Sequence, residues 1–272
     1  IFTSTTTYGK IIPCGVPDGI VAVANSANKT FQIIPETNHI IYDVKVNNQS
    51  IGAVTSYTFM AVDFDKYIRA EFGCSLTVIS AHGLSSPSVG VHPLMPGPLS
   101  CGVGNPVVTH GGTQFVCRGW VRLGSNPSFS TNYTMDTFNL TNNTTITWLW
   151  ETNYFLDVET THGGSVDRSD GWLARGAVVT STASADRWYS FAGWSGDTEG
   201  DTNAVFMITT INRAKSLIAH FFAPEATNNV PIAWLEYYKL TNNIPDIESL
   251  ADADNDGMAT WQEFLAGTDP TN

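Results

Sequence analysis

Charge is scarce in this chain of 272 residues: Asp, Glu, Lys and Arg together make up 14%, and only 13 residues are basic. With a net charge of −12, the chain has little to offer nucleic acid phosphate or an anionic membrane, and neither is expected as a partner. Long apolar runs are missing too. No stretch of about 18 consecutive apolar residues occurs, so no membrane span is expected. Cysteines number four and none form a CxxC pair, which argues against a cysteine zinc site. The six histidines, His39, His82, His92, His110, His162 and His220, are scattered with no i,i+4 pair, and they read as surface or turn residues. Ser195 lacks the G-x-S-x-G frame of a nucleophile turn, and no His/Asp arrangement recurs with it, so the chain is expected not to be an enzyme. It opens at Ile1 with no basic-then-apolar leader, as expected of a processed, secreted product or of a trimmed chain.

What is abundant is threonine, with 32 residues, alongside many Asn and Ser. Thr favours strands, and such chains suit exposed β surfaces. Three segments share one alternating pattern: Ile68/Ala70/Phe72, Ile146/Trp148/Trp150 and Leu217/Ala219/Phe221. A period of two marks a half-buried strand, and recurrence at roughly 75-residue intervals marks an internal repeat. The expected fold is mainly β. It comprises three tandem small β-rich modules, sandwich- or grasp-like, at residues 1–73, 74–152 and 153–223, and a short helical EF-hand-like calcium segment at 224–272. Each module opens on a glycine break, at Tyr8-Gly9-Lys10, Ala81-His82-Gly83 and His162-Gly163-Gly164. The prolines from Pro87 to Pro98 are expected to keep that passage out of any central strand, and 132–147 reads as a long loop. The first residues, Ile1 to Thr7, form a strand that a neighbouring copy could accept on a free sheet edge.

Residues 187–222, with Gly193-Trp194-Ser195-Gly196-Asp197 after an aromatic strand, carry the clearest copy. This grammar resembles the divergent internalin-type B-repeat family, with the middle copy departing most. The resemblance implies a non-catalytic spacer, stalk or adhesive role on surface and secreted proteins.

Cys101 and Cys117 flank a Gly/Pro-rich bend, and a disulfide there would close a loop worth roughly 3 kcal/mol. A second bridge could join Cys14 to Cys74 at the two ends of the first module; two free thiols or an intermolecular link are the alternatives.

Beyond Ala223 the pattern changes. Pro231 is expected to open a helix with Ile232, Leu235, Tyr238 and Leu240 on its apolar face, ended by Asn242, Asn243 and Pro245. From Asn243 onward there are seven acids and no Lys or Arg. Among them Asp252, Asp254, Asp256, Gly257 and Glu263 fit D-x-D-x-D-G-x5-E without a gap. In that pattern alternate carboxylates converge on a hard cation and Gly257 permits the sharp turn. Met258 can offer its carbonyl, Thr260 holds a position that often works through water, and Glu263 can bind with both oxygens. The number of oxygens suits calcium better than magnesium. The segment resembles calcium-binding tails of the thrombospondin type 3 and dockerin-like kind. A lone hand of this sort implies a structural clip, with a calcium switch or docking module as the alternative.

Asp197, Glu199 and Asp201 form a smaller acidic loop, read as solvated. Trp120, Trp148, Trp150 and Trp194 read as core, leaving Trp172 and Trp188 as candidates for a glycan-stacking face. Sequons occur at Asn28, Asn48, Asn132, Asn139, Asn142 and Asn143. The composite expectation is an extracellular, cell-surface structural protein that associates with copies of itself as a stalk, surface coat or filament. The alternative is an adhesin or carbohydrate-binding appendage, with glycans as partners.

Overall fold

The computed structural model describes every residue except 16–18, 132–135 and 201. Strands dominate, and the α-helices among the described residues are Ile232–Tyr237 (α1), Pro245–Leu250 (α2) and Thr260–Ala266 (α3). None of them is long and apolar enough to cross a membrane. The chain divides into two compact units, Ile1–Val108 with Phe115–Glu151, and Thr109–Gln114 with Thr152–Asn272.

In the first unit the strand Tyr67–Ile79 is the spine. Its alternation is unbroken, so one face presents Ile68, Ala70 and Phe72 and then Cys74, Leu76 and Val78, all buried. The first trio joins a core with Ile11, Phe31, Ile33, Val44 and Phe59, and the second joins another with Trp120, Leu140, Ile146 and Trp148. Full burial of one such large side chain contributes about 1.5–3 kcal/mol. At the first core, Phe2–Thr5 pairs in parallel with residues 67–70 and Ile40–Val46 pairs antiparallel on the opposite edge. At the second core, Gly90–Leu94 pairs antiparallel and residues 144–147 pair in parallel. Each core is completed by a three-stranded antiparallel sheet. The first is Gly9–Ile12, Ala27–Pro35 and Ser56–Val62; the second is Ser85–Ser86, Gly97–Val103 and Asp136–Leu140.

The second unit repeats this plan. Lys215–Phe222 pairs in parallel with residues 156–160 and antiparallel with Ser190–Gly196. The strands Gly164–Val166, Val178–Ala185 and Phe206–Thr210 form the companion sheet. Between them lie Leu156, Trp194, Met207, Leu217, Ala219 and Phe221. Pro224 follows this closing strand; without a backbone N–H it cannot extend the ladder. A fourth, smaller core gathers Ala226, Val230 and Leu235, with Trp234, Trp261 and Phe264 packed against it.

The glycine breaks acquire a reason. A Cβ on Gly9 would stand 2.4 Å from the Phe72 ring, one on Gly83 2.7 Å from Trp150, and one on Gly164 2.4 Å from the Phe221 ring. In all three cores a glycine clears space for an inward-facing aromatic, at a distance far closer than any methyl group can approach.

Several expectations are corrected. The N-terminal strand is paired within its own module, and the Ile1 ammonium donates to the Val21 carbonyl at 2.9 Å, so it is not a donated strand. No disulfide joins the four cysteines. Cys101 and Cys117 lie on strands of the two different sheets as buried core residues. Cys74 faces that same core while Cys14 is exposed. Burial pushes the Cys74 and Cys117 thiols up, the latter countered in part by a backbone hydrogen bond at Gly119. Part of the expected loop at 132–147 is strand Asp136–Leu140, paired with Gly97–Val103. Pro98 does sit in a central strand, but at its start, because Ser85–Ser86 pairs only with Gly102 and Val103.

Candidate metal centre

The acidic loop lies between α2 and α3. Pro245 does not merely end the preceding helix; it opens α2, the first helical position being where a missing N–H costs nothing. In the first turn of α2, Asp246 accepts hydrogen bonds from the Thr227 amide and hydroxyl at 2.7 and 2.9 Å, tying the helix to the residues just after the repeat. Arg187 and Glu236 form an ion pair at 2.7 Å between the last repeat and α1.

The loop backbone folds its own carboxylates inward. The Gly257 amide donates to Asp252 Oδ2 at 3.0 Å, that of Asp256 to Asp254 Oδ1 at 3.1 Å, and that of Met258 to Asp256 Oδ1 at 2.8 Å. One oxygen from each of Asp252, Asp254 and Asp256 thereby lies within 4.8 Å of the others. Gly257 has φ +99° with open space around its α-carbon, so conformation and not crowding requires glycine. Thr260 closes the loop: its amide and hydroxyl both donate to the Ala251 carbonyl, at 2.7 and 2.9 Å, and the residue is fully buried. The exit helix begins at Thr260, with the Gln262 side-chain oxygen accepting the Ala259 amide at 2.8 Å.

Glu263 therefore falls in the first turn of α3, where it is 1% exposed. Its Oε2 and Asp254 Oδ2 are buried without a hydrogen-bond partner. Burial, followed by the charges of Asp254, Asp256 and Asp252, pushes the Glu263 carboxyl above the ordinary range. Buried carboxylates are costly unless paired or bound to a metal. Two orphaned carboxylate oxygens beside a cluster of three Asp make a donor set of hard oxygens, which fits a hard cation.

The remaining candidates are otherwise occupied. Asp197 pairs with Arg213 at 2.6 Å and accepts the Ser216 amide at 3.0 Å. These contacts, Arg213 first, hold its carboxyl below the usual range. Glu199 pairs with the buried Lys215. Asp201 lies outside the described residues, as does the sequon at Asn132. Trp194 is buried and donates its indole N–H to the Ala204 carbonyl at 3.0 Å. Trp172 and Trp188 are half-buried and do not form an exposed row. One contact was illegible in the sequence: Ser195 Oγ lies 2.6 Å from His220 Nε2. These residues sit on adjacent strands in near register. Among the described residues, no carboxylate bonds the other ring nitrogen, and the contact reads as a cross-strand hydrogen bond.

Fold and site together describe a mainly β protein with an acidic loop between two short helices. Residues 154–224 match the model of the divergent InlB B-repeat domain. That segment holds the core of Leu156, Trp194, Leu217 and Phe221, with the Gly193-Trp194 turn and the Lys215–Phe222 strand. No curated protein and no solved structure matches the chain.

Proposed function

We propose that the chain is a non-catalytic, exported structural protein, a cell-surface stalk, surface-coat or extracellular filament subunit that associates with copies of itself. The supporting observation is the repeat itself. The same two-sheet arrangement recurs along the chain, and residues 154–224 match a B-repeat domain. B-repeats fit surface and extracellular settings.

The acidic hand supplies rigidity on this reading. Asp252, Asp254, Asp256 and Glu263 would hold one calcium ion through carboxylate oxygens, joined by the Met258 carbonyl, with Thr260 closing the loop. Bound calcium offsets the mutual repulsion of these groups and the burial of Glu263, clamping α2 to α3. The supporting feature is the pair of buried, unpartnered oxygens on Asp254 and Glu263.

Electron microscopy of the full chain with calcium and with chelator tests both parts. Ordered fibres or sheets are expected in calcium, with their loss or loosening in chelator. Dispersed monomers in both conditions would overturn the structural reading in favour of a ligand-binding module.

A further inference from the structure

Three tight turns occupy matching places beside the three cores. They lead into the strands Ile40–Val46, Thr113–Leu123 and Ser190–Gly196, and each holds one residue at positive φ: Asn38 at 64°, Gly111 at 55° and Trp188 at 68°. Behind each turn a ring meets the residue that precedes the glycine break. His39 lies on Tyr8, Phe115 on His82 and Tyr189 on His162.

Two of these turns are docked, and in the same way. The Asn143 amide donates to the Asn38 carbonyl at 2.7 Å, and His39 Nε2 lies 2.9 Å from the Thr141 carbonyl. At the second turn the Phe155 amide donates to the Gly112 carbonyl at 3.0 Å. A Cβ on Gly112 would stand 2.3 Å from that of Ala214, so the approach is close. Asn143 and Ala214 hold one structural position: each directly precedes a strand whose first residues pair in parallel, 144 with 76 and 215 with 156.

The residue at that position in the first core is Lys66, directly before Tyr67, which pairs in parallel with Phe2. No turn is docked there. Among the described residues no carbonyl accepts the Lys66 amide. Beside it opens a cleft of about 350 Å³ lined by Ile1, Ile20, Val23, Asn25, Phe64 and Asp65, and Ile20 and Phe64 are more than half exposed. Charge does not select the occupant, since Asp63 and Asp65 stand next to Lys66, whose ammonium lies 3.7 Å from Asp63. Position in the ladder does.

The third turn is the matching piece. Asp186 and Arg187 are exposed, and Trp188 holds a positive φ where the other turns use Asn and Gly. A bulky residue is an outlier in that conformation, and such strain persists where a function uses it. We infer that the Arg187–Trp188 turn of one copy docks in the cleft beside Lys66 of a second copy, as the turns at Asn38 and Gly112 dock beside Asn143 and Ala214. The Trp188 carbonyl accepts the Lys66 amide, and Phe64 and Ile20 pack on the turn. The contact is heterologous: each copy offers both surfaces, so association propagates into a chain or closes into a ring. This inference rests on the self-association in the proposed function and names its surfaces.

The experiment is sedimentation of the full chain in calcium-containing buffer, comparing the parent with Phe64→Asp and Arg187→Glu. Far-UV circular dichroism first checks that each variant is folded; both side chains are more than half exposed. The parent is expected to grow in size with concentration, and each variant alone to associate at least ~30-fold more weakly, the scale of a hot-spot loss. Mixing the two variants leaves one intact pair of surfaces and is expected to restore a one-to-one dimer that does not grow further. If only one substitution disrupts assembly, or if the mixture stays dissociated, turn and cleft are not partners and the inference fails. Assembly indifferent to both substitutions also overturns it while leaving the proposed function standing. A parent that stays monomeric up to ~1 mM, the weak end of specific association, removes both.

Discussion

The last repeat and the acidic segment that follows it are held together by different physics. Between Leu156 and Phe221 the chain closes two sheets over nine buried apolar residues, and strand ladders satisfy the backbone. Between Ala226 and Leu235 only three buried residues form the core, and the helices are six or seven residues long. Helices that short do not persist by propensity. What organises the second region is a set of side chain–backbone hydrogen bonds around a cluster of carboxylates. The repeat is expected to be indifferent to cations and the segment to depend on them.

The largest effect comes from the repeat core. Leu217→Ala leaves a cavity between the sheets and is expected to cost about 2–5 kcal/mol, read as a shift in chemical denaturation that is the same with calcium and with chelator. A dependence on calcium there would erase the contrast. Next, Gly164→Ala drives a methyl group into the Phe221 ring, an overpacking cost of about 1–3 kcal/mol. Adding Phe221→Leu should recover part of that loss in a double-mutant cycle. Additive losses would show that the glycine serves the backbone and not the ring.

Glu263→Gln should separate the two regions most sharply, because its sign reverses with conditions. In chelator it removes a buried charge beside three Asp and is expected to protect the segment's amides from hydrogen exchange by about 1–3 kcal/mol. In calcium it removes a ligand and is expected to lower protection. The same sign in both buffers would end the cation reading. Gly257→Ala, strained at positive φ, is expected to cost about 1 kcal/mol, confined to the segment and visible as weaker calcium titration with unchanged repeat melting.

The smallest effect is electrostatic. Asp197 has its carboxyl held below the usual range by Arg213 and the Ser216 amide. A depressed carboxylate contributes stability that is fully present above its unfolded pKa and is lost as pH falls through the folded one. Asp197→Asn should therefore cost about 1 kcal/mol or less at neutral pH, with the difference from the parent vanishing in acid. A constant difference across pH would assign Asp197 a packing role.

Much of this was legible in the residues. Alternation at Ile68/Ala70/Phe72 and its two counterparts located the closing strands, because a period of two is a local property of a chain half in contact with water. The acidic turn was legible for a similar reason: its parts lie within twelve residues, from Asp252 to Glu263. Proline was less readable, since the same missing N–H that stops a strand after Ala223 starts a helix at Pro245 and is tolerated at Pro98.

By itself, then, the sequence determined that the protein is a β repeat, where its half-buried strands run, and where an acidic turn must form. Tertiary structure decided the rest. It paired Phe2–Thr5 with a strand more than sixty residues away, placed Cys74, Cys101 and Cys117 inside a core where they serve as small apolar residues, and set a glycine beneath an inward-facing aromatic in each core. It also buried Glu263. The physical reason is range. Alternation, turn geometry and ligand spacing are settled between neighbours in the chain, whereas burial and strand partnership depend on which distant segments exclude water together.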